Sequence, residues 1–486
     1  MSDRRILVAS NRGPVTFAPG RQGELEPHRG AGGLVTALTA AVQATGGLWV
    51  ASAMGEHDRR AAEATPNGRM DVVLEDAKHA LRLLTPDPEA YDRYYNAVSN
   101  QVLWFLHHDL WDTPHVPSFD AATREDWRAY RSVNELFAEA LAEEADRTPA
   151  DVLVQDYHLS LVPAALRSLA PHARIGYFHH IPFAGPIELS LFPRWMRTEL
   201  VEGLLGADLV GFQSLRWADT FLAACRDVEG ATVDARRRTV RWEDRVVHVG
   251  VYPITVEAGS LRELAGSPEV TDKRRMLERS LQGRKMLLRV DRTELSKNIL
   301  RGFRAYEIFL RAYPGWRARV TFVALLNPSR QRLPAYHAYL EECRQLAGRI
   351  NETFGEPGWQ PVDLRVDDDF DEVVAAYTMY DALLVNPILD GMNLVAKEGP
   401  LLNERQGVLL LSRTAGAFAE MGKHALALDP LDVAATADAI NAALRLPPAE
   451  RSRRAAGLRR AAETGSPASW VERQLGDLDR AAAREG

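Results

Sequence analysis

The segment Arg5–Ser10, RILVAS, is a continuous apolar run followed by a glycine-rich loop and a helical pattern that begins near Gly33. Such a run is typical of a parallel strand that is covered on both faces. Three similar runs follow in the first half of the chain, at Asp151–Asp156, Arg174–His180 and Asp208–Gln213. Helical periodicity fills the gaps, as in Trp127–Ala145. This alternation predicts a doubly wound parallel sheet.

The alternation restarts after Pro253, with strand patterns KMLLRV, RVTFVALL, VDLRV, ALLVNP and VLLLS, each followed by a helical pattern. The expected fold class is therefore α/β, with two Rossmann-like doubly wound domains facing across a cleft. We expect the domains at residues 1–255 and 256–455. A C-terminal helix at 456–486, with an apolar stripe in SWVERQLGDL, is expected to pack back on the first domain. The polar stretch Thr255–Thr271 is interpreted as a linker.

Composition excludes several classes of protein. A chain of 486 residues is too long for one core, and 46% hydrophobic with 26% charged residues is typical of a globular protein. The net charge of −7 argues against a nucleic-acid partner. The two cysteines, Cys225 and Cys343, give no disulfide framework and no zinc motif. With no signal-peptide pattern and no apolar run of ~20 residues, a cytoplasmic protein with no membrane contact is expected.

Ligands of open parallel sheets bind beyond the carboxyl ends of the strands, so the loops there were searched first. In the loop 10–33, glycines lead into a helix N-terminus, where free N–H groups favour an anion. Arg12 directly follows the strand and adds a planar donor fork. The alternative is a flexible loop with a helix cap, since no GxxxxGK[ST] pattern is present.

Two further strand ends carry polar side chains, Asp156 in DYH and the pair His179–His180 in HHIPF. No HExxH or carboxylate spacing accompanies the histidines, so they do not indicate a metal site. We expect one histidine to lie in the core and the other to face the cleft.

In the second half, Arg292 and Lys297 stand five residues apart in the loop after a strand. Two converging cations suit a diphosphate leaving group, and a solvated basic surface is the alternative. The segment Ile388–Gly399 runs through Asp390 into a helix carrying Glu398, which could accept from ribose hydroxyls; a capped helix is the alternative. The combined chemistry of hydroxyls and phosphates predicts a nucleotide-sugar transferase.

The motifs SNRGP, RGAGGLVTAL, YYNAVSNQVLW, VQDYHLSLVP, FHHIPF, GFQSLRWADTFLAAC, VYPI and DGMNLVAKE together resemble the trehalose-6-phosphate synthases, from Ser10 to Glu398. The resemblance implies a retaining glucosyltransferase of the GT-B architecture that moves glucose from a nucleoside diphosphate glucose to glucose 6-phosphate, without metal or cofactor. It also implies front-face transfer, in which the leaving diphosphate takes the proton of the acceptor. The partners are then small-molecule substrates, and a homo-oligomer is left open.

The resemblance assigns residue roles motif by motif. The catalytic residues would be His180, Arg292, Lys297 and Asp156. The acceptor would contact Arg12, Tyr95, Trp104, Asp156 and Arg330. The donor would contact Gly32, Gly33, Arg292, Lys297, Asp390, Gly391, Met392, Asn393, Leu394, Glu398, Phe370 and Glu372. From the residues alone, Tyr95 and Trp104 are equally consistent with core packing, and Arg330 with a surface charge.

The chain departs from the family pattern at three places. The family loop RLDYSKG reads RTELSKN in this chain. Arg292 and Lys297 keep their spacing, whereas Glu294 and Leu295 replace aspartate and tyrosine, and Asn298 replaces glycine. Ser52 stands in or near the place of a second tryptophan. Glu372 stands where relatives selective for UDP-glucose tend to carry a basic residue. A carboxylate can accept from both N1–H and N2–H₂ of guanine, so the acidic cluster 367–372 favours GDP-glucose over UDP-glucose. The alternative is acidic residues that complement a helix dipole.

Two other functions remain open alternatives. A pseudo-glycosyltransferase of the validoxylamine-phosphate type would couple cyclitols, but the chain keeps GGLVTAL and DGMN. A non-catalytic regulatory subunit of trehalose synthesis would lose the Arg292–Lys297 pair or the segment from Asp390 to Glu398, and both are present.

Overall fold

The computed structural model of the chain describes residues 4–20, 24–29, 33–74 and 77–482. The chain forms two compact units, Met1–Ile254 with Pro467–Gly486, and Thr255–Ser466. The first boundary lies one residue before the expected 255. The return of the chain to the first unit begins at Pro467, whereas the sequence interpretation began the final segment at 456.

The first unit is built on a sheet of ten strands among the described residues, in the order β10-β11-β12-β9-β8-β7-β1-β4-β6-β5. Together with the separate hairpin β2-β3, the strands are β1 (Arg5–Ser10), β2 (Val15–Pro19), β3 (Leu25–Arg29), β4 (Leu48–Ser52), β5 (Arg69–Leu74), β6 (Ala77–Leu84), β7 (Ala150–Gln155), β8 (Arg174–His179), β9 (Leu209–Phe212), β10 (Thr232–Asp234), β11 (Thr239–Trp242) and β12 (Arg245–Val251). The central strands are parallel, and β5, β10 and β11 are antiparallel to their neighbours.

Helices connect these strands. They are α1 (Gly33–Ala44), α2 (Glu56–Glu63), α3 (Pro88–Asp92), α4 (Trp104–His108), α5 (Ala121–Arg147), α6 (Val162–Leu169), α7 (Pro186–Ser190), α8 (Arg194–Leu205) and α9 (Leu215–Cys225). A π-helical segment, Arg93–Leu103, lies between α3 and α4. Every residue of β7 is buried, as expected for a strand with helices on both faces.

The second unit holds a fully parallel sheet in the order β15-β14-β13-β16-β17-β18. Its strands are β13 (Lys285–Arg292), β14 (Val320–Asn327), β15 (Val362–Val366), β16 (Ala382–Val385), β17 (Val408–Ser412) and β18 (Leu426–Leu428). Its helices are α10 (Ala258–Ala265), α11 (Pro268–Leu281), α12 (Ile299–Ala312), α13 (Pro334–Phe354), α14 (Phe370–Met379), α15 (Val395–Leu402), α16 (Phe418–Met421), α17 (Val433–Arg445) and α18 (Pro448–Ala462). The strand order is that of a Rossmann domain.

Two expectations about segments change. The interpretation of 255–271 as a linker is wrong, because this stretch contains α10 and the start of α11. Pro268 occupies the first turn of α11 and the Ser267 side chain accepts from the Val270 amide, which is a helix start that the polar composition concealed. The apolar stripe of the final segment does pack, as part of α19 (Pro467–Ala482), where Trp470 and Leu478 are fully buried.

Candidate active site

In the first unit, the sheet reverses its direction of winding at β1, which pairs with β4 on one side and with β7 on the other. Such a reversal opens a crevice beyond the carboxyl ends of the strands. Arg12 follows the end of β1, and Asp156 follows the end of β7. Both predicted residues therefore stand at the same edge of one sheet.

Arg12 lies in a loop that is anchored through its neighbour Asn11. The Asn11 Oδ1 accepts from the Ser52 hydroxyl at 3.1 Å, the Tyr94 hydroxyl at 3.2 Å and the Tyr91 hydroxyl at 3.3 Å. Asn11 is buried, whereas Arg12 is exposed. Ser52, which stands in or near the place of a second tryptophan, thus helps to hold this loop. No sequence pattern indicated the role of Asn11.

Asp156 has a positive φ of 72°. This conformation is uncommon for a residue with a side chain and is held here by two hydrogen bonds. The Asp156 amide donates to the Phe178 carbonyl at 2.8 Å, and Oδ1 accepts from the His180 amide at 3.2 Å. The strand ends of β7 and β8 are therefore joined through this carboxylate.

The two histidines differ in burial. His179 is fully buried, with Nδ1 3.1 Å from the Tyr177 hydroxyl. His180 is partly buried, and its Nε2 lies 2.9 Å from the Gln155 Oε1. Gln213 accepts from the Ile254 amide with Oε1, so its amide nitrogen faces His180 Nδ1 at 3.4 Å and donates to it. The proton of the ring then stands on Nε2.

Burial lowers the pKa of His180 to about 3. The imidazole is therefore neutral at neutral pH, and it can orient a hydroxyl but does not supply a cation.

The two aromatic candidates lie in different surroundings. Tyr95 is partly exposed and stacks on Tyr91 and on His158, with ring centroids 5.8 Å apart in each pair. Trp104 is 4% exposed and stacks on His108 with centroids 4.0 Å apart. Tyr95 offers part of its surface to a ligand, while Trp104 is packed among neighbouring rings.

In the second unit, the order of winding reverses between β13 and β16. Arg292 is the last residue of β13, and Lys297 ends the short 3₁₀ helix Leu295–Lys297 that follows it. Asp390 lies in the loop after β16. Arg292, Lys297 and Asp390 thus lie at the strand ends where this topology creates a crevice.

Lys297 and Asp390 form an ion pair, with Nζ 2.6 Å from Oδ2. Burial alone would lower the pKa of Lys297, but the carboxylates of Asp390 and Asp291 raise it above its ordinary value. The Asn393 side chain donates to the same Asp390 oxygen at 3.0 Å. Lys297 therefore stays charged, and the pair fixes a cation next to an acid in a shielded position.

Glu294 is fully buried next to two cations. Its Oε1 lies 3.1 Å from Arg292 Nη1 and 3.6 Å from Arg330 Nη1. The Ser329 hydroxyl donates to the same oxygen at 3.0 Å. Burial opposes ionisation, but the two arginines lower the pKa of Glu294 to about 2. The change from aspartate in RLDYSKG thus retains a carboxylate that holds both arginines.

The third change in this loop, Asn298 in place of glycine, is explained by its backbone. Asn298 has a φ of 60°, a left-handed conformation that asparagine tolerates better than most residues. Its side chain donates to the Asn386 carbonyl at 2.9 Å and to the Pro430 carbonyl at 2.7 Å.

The loop from Asp390 to Leu394 leads into α15, with Leu394 as the N-cap residue. Gly391, Met392 and Asn393 are buried. Glu398, in the first turn of α15, accepts from the Tyr377 hydroxyl at 3.1 Å. Burial raises the pKa of Glu398 above its ordinary value. The helix start and this carboxyl group are the features expected of a phosphate and ribose site.

The acidic cluster at the start of α14 is largely committed to partners within the protein. Glu372 forms an ion pair with Arg365. Asp369 caps α14 by accepting from the Glu372 amide at 2.9 Å, and it also pairs with Lys273. Phe370 is 48% exposed. No hydrogen bond or ion pair between described residues joins Phe370 or Glu372 to Lys297 or Asp390.

Two charged residues of β13 were missed by the sequence analysis. Arg289 is fully buried, with Nε 3.7 Å from Asp291 Oδ2. Burial raises the pKa of Asp291 to about 6, against the opposing effect of Arg289. The sequence contained a signal for these two residues, because charged side chains at 289 and 291 interrupt an otherwise apolar strand that ends at Arg292.

The remaining predictions concern the first glycine-rich loop and metals. Gly32 lies outside the described residues, and Gly33 begins α1.

Across 4–20, 24–29, 33–74 and 77–482, no group of three or more histidine, cysteine or acidic side chains is arranged to hold a metal ion. In the same ranges, no helix is both long and apolar enough to cross a membrane.

Comparison with known proteins agrees with this arrangement. The family model of glycosyltransferase family 20 matches residues 4–480. The trehalose-6-phosphate synthase of Mycobacterium avium is 36% identical over 491 residues, covering 99% of this chain and 96% of the relative. The UDP-forming alpha,alpha-trehalose-phosphate synthase of Schizosaccharomyces pombe is 32% identical over 489 residues, covering 99% of this chain and 91% of the relative.

Among solved structures, the UDP-forming alpha,alpha-trehalose-phosphate synthase of Burkholderia xenovorans in complex with glucose-6-phosphate superposes with a TM-score of 0.83. It is 30% identical and covers 98% of this chain and 100% of the other. The predicted GT-B class, with two Rossmann-like domains, is confirmed by this similarity.

Proposed function

We propose that this chain, which belongs to glycosyltransferase family 20 and is a glycosyltransferase, transfers glucose from a nucleoside diphosphate glucose to glucose 6-phosphate with retention, giving alpha,alpha-trehalose 6-phosphate. The proposal takes its substrates from the names of its relatives, which include a complex with glucose-6-phosphate.

The observation that carries the proposal is the ion pair of Lys297 and Asp390, 2.6 Å apart at the reversal point of the second sheet. A nucleotide sugar joins a hydroxylated ring to a diphosphate through one bond. An acid that accepts from sugar hydroxyls and a cation that binds phosphate must then stand side by side. Arg292, whose side chain is 55% exposed, adds a second cation, a guanidinium, at the end of β13.

The proposed reaction breaks the bond between the anomeric carbon and the diphosphate oxygen. The bonding electrons leave with the diphosphate, and Arg292 and Lys297 stabilise the charge that grows there. The acceptor hydroxyl attacks the same face, and its proton passes to the departing diphosphate oxygen. Neutral His180 would orient a donor hydroxyl, because its pKa of about 3 leaves it without charge.

The acceptor is proposed to contact Arg12, Tyr95, Trp104, Asp156 and Arg330. Arg12 and Arg330 are the cations suited to its phosphate. The Arg330 guanidinium can only donate hydrogen bonds. It donates to the Tyr336 hydroxyl at 3.0 Å, and this bond orients the side chain. Asp156 can accept from sugar hydroxyls with the oxygen that is not bonded to the His180 amide.

The donor base is the finer part of the proposal, and guanine stays the prediction from the acidic cluster. Glu372 is paired with Arg365, Asp369 is paired with Lys273, and Asp368 accepts from the Asn327 side chain. Asp367 and Asp371 are therefore the carboxylates of the cluster that would accept from guanine. The named relatives from S. pombe and B. xenovorans are UDP-forming, which weighs toward uracil.

The test is product formation from glucose 6-phosphate with UDP-glucose and with GDP-glucose in parallel, in the presence of EDTA. Trehalose 6-phosphate from either donor establishes the reaction, and the ratio of the two values of kcat/KM decides the base. A higher value with UDP-glucose would overturn the guanine prediction. Loss of product in EDTA would overturn metal-free transfer.

The alternatives predict other outcomes of the same assay. A cyclitol-coupling enzyme would bind the nucleoside diphosphate but release no trehalose 6-phosphate. A regulatory subunit would give no product with any donor, although the Arg292, Lys297 and Asp390 side chains argue against that function.

A further inference from the structure

A second cluster of charged side chains lies in the first unit and shares no residue with the proposed donor and acceptor sets. Three arginines surround the carboxylate of Glu144, which is 1% exposed. The distances to Glu144 are 3.6 Å from Arg5 Nη2, 3.4 Å from Arg69 Nη1 and 3.6 Å from Arg82 Nη1. We call these residues, with Arg147, the arginine cluster.

The arginine cluster carries more positive than negative charge. Glu143 pairs with Arg82 at 2.8 Å, so the four guanidinium groups meet the carboxylates of Glu143 and Glu144. Arg147, the last residue of α5, has no carboxylate within ion-pair distance among the described residues. Burial lowers the pKa of Arg5, and repulsion from Arg69 and Arg147 adds to that effect. An ordinary structural ion pair would balance its charges.

Hydrogen bonding in the cluster is also incomplete. The Arg82 side chain is 9% exposed, and its Nε has no hydrogen-bond partner in the described part of the chain. The same holds for Glu144 Oε2. A buried donor without an acceptor is unfavourable, so a ligand group that accepts from a guanidinium would be favoured here.

A cavity of about 230 Å³ opens beside these side chains, and its walls are Pro66, Asn67, Arg69, Arg82, Glu144 and Arg147. Arg69 also borders a second cavity of about 470 Å³, whose wall includes the polar side chains of Gln43, Asp71 and Lys78. Planar guanidinium groups suit the oxygen atoms of a phosphoryl group, and the second cavity offers donors and acceptors to hydroxyl groups.

We propose that the arginine cluster binds the phosphate of a small phosphate monoester, with Arg69, Arg82 and Arg147 contacting the phosphoryl oxygens and the hydroxylated remainder of the ligand in the cavity lined by Gln43 and Lys78. This site is additional to the proposed acceptor residues, and its existence does not depend on the proposed reaction.

The test measures binding of inorganic phosphate and of glycerol 3-phosphate by calorimetry to the full chain carrying Arg12→Gln, which weakens binding at the proposed acceptor residues. We expect saturable binding of both probes, tighter for the monoester. Arg147→Gln in this background should weaken both by roughly tenfold, the loss of one charge-assisted hydrogen bond. Arg128→Gln, an exposed change on the same helix, is the matched control and should leave binding unchanged.

Because Arg147 pairs with no carboxylate among the described residues, Arg147→Gln should keep the unfolding temperature of the protein without ligand. Binding that is unchanged by both Arg147→Gln and Arg69→Gln, or no binding once Arg12 is replaced, would overturn the site. Equal affinity for inorganic phosphate and glycerol 3-phosphate would overturn the proposal that the ligand is a phosphate monoester, and would indicate free phosphate as the ligand.

Discussion

Glu294 Oε1 lies 3.1 Å from Arg292 Nη1, and this carboxylate is fully buried while the arginine side chain is 55% exposed. A charged group in the interior thus sets the direction of a cation at the surface. The same oxygen lies 3.6 Å from Arg330 Nη1, so one carboxylate positions an arginine of the proposed donor set and one of the proposed acceptor set.

Glu294→Gln should therefore lower kcat/KM by about tenfold, since the neutral amide orients the arginines less firmly. KM for both substrates is expected to rise, because both arginines lose the same partner. Glu294→Asp keeps the charge that RLDYSKG carries and should recover most of the activity. Steady-state kinetics with each substrate varied in turn checks this, and an unaltered KM for glucose 6-phosphate would contradict the shared role.

Lys297→Ala should lower kcat by about 10²–10³-fold, as expected when a group that stabilises the charge of the transition state is removed. Lys285→Ala is the matched control, because Lys285 also lies in the β13 region and pairs with a carboxylate, Asp381, at 2.8 Å. That variant should retain the wild-type kcat. Equal losses in the two variants would indicate a structural effect of breaking an ion pair rather than a role in transfer.

Asp291→Asn should change how stability depends on pH. The pKa of Asp291 is raised from 3.8 to about 6 by burial, so the folded protein binds more protons than the unfolded chain between these values. The free energy of unfolding of the wild type should then fall, relative to Asp291→Asn, by about 2 kcal/mol as the pH rises from 4 to 7.

Urea unfolding at pH 4 and at pH 7 measures this difference. Asp272→Asn, which removes an exposed carboxylate of α11, is the control. The raised pKa of Asp291 would be contradicted if the free energy of unfolding of the wild type, relative to Asp291→Asn, rose or stayed constant between pH 4 and pH 7.

Gly416→Ala should disturb the loop that carries Asp390. A Cβ at Gly416 would lie 1.8 Å from the Gly391 carbonyl oxygen, and the Gly416 amide donates to the Asp390 carbonyl at 3.0 Å. Backbone must shift, at a cost of about 1–3 kcal/mol. We expect a lower unfolding temperature together with a lower kcat/KM.

The control is Gly348→Ala, in α13, where a Cβ meets no atom within 4 Å. Alanine in a helix interior should leave kcat/KM unchanged and raise stability by roughly 0.5–1 kcal/mol. Wild-type activity in Gly416→Ala would show that the loop tolerates the displacement.

The elements that the sequence predicted well are those with a continuous apolar run. Arg5–Ser10 is a strand with those bounds, and the helical pattern Trp127–Ala145 lies within α5. A strand that is covered on both faces has few polar positions, so a continuous apolar run indicates a buried parallel strand. The polar stretch 255–271 was wrongly interpreted as a linker, because a surface helix such as α10 buries none of its residues.

For the site, the strand ends predicted where Arg12, Asp156, Arg292 and Asp390 would stand, since topology alone brings strand ends together. The partners of these residues could not be predicted. Asn11 accepts from the Tyr94 hydroxyl, 83 residues away in the chain, and Glu294 accepts from the Ser329 hydroxyl, 35 residues away. Local spacing carries no information about such contacts.

The helix α19 has a consequence for how the protein is made. Its Trp470 donates to the Tyr252 carbonyl at 2.9 Å and packs against Phe178, with ring centroids 4.8 Å apart, two residues before His180. Residues 467–482 leave the ribosome only after all of Thr255–Ser466 has done so. The second unit can therefore finish folding first, while part of the core of the first unit stays uncovered until α19 has been synthesised.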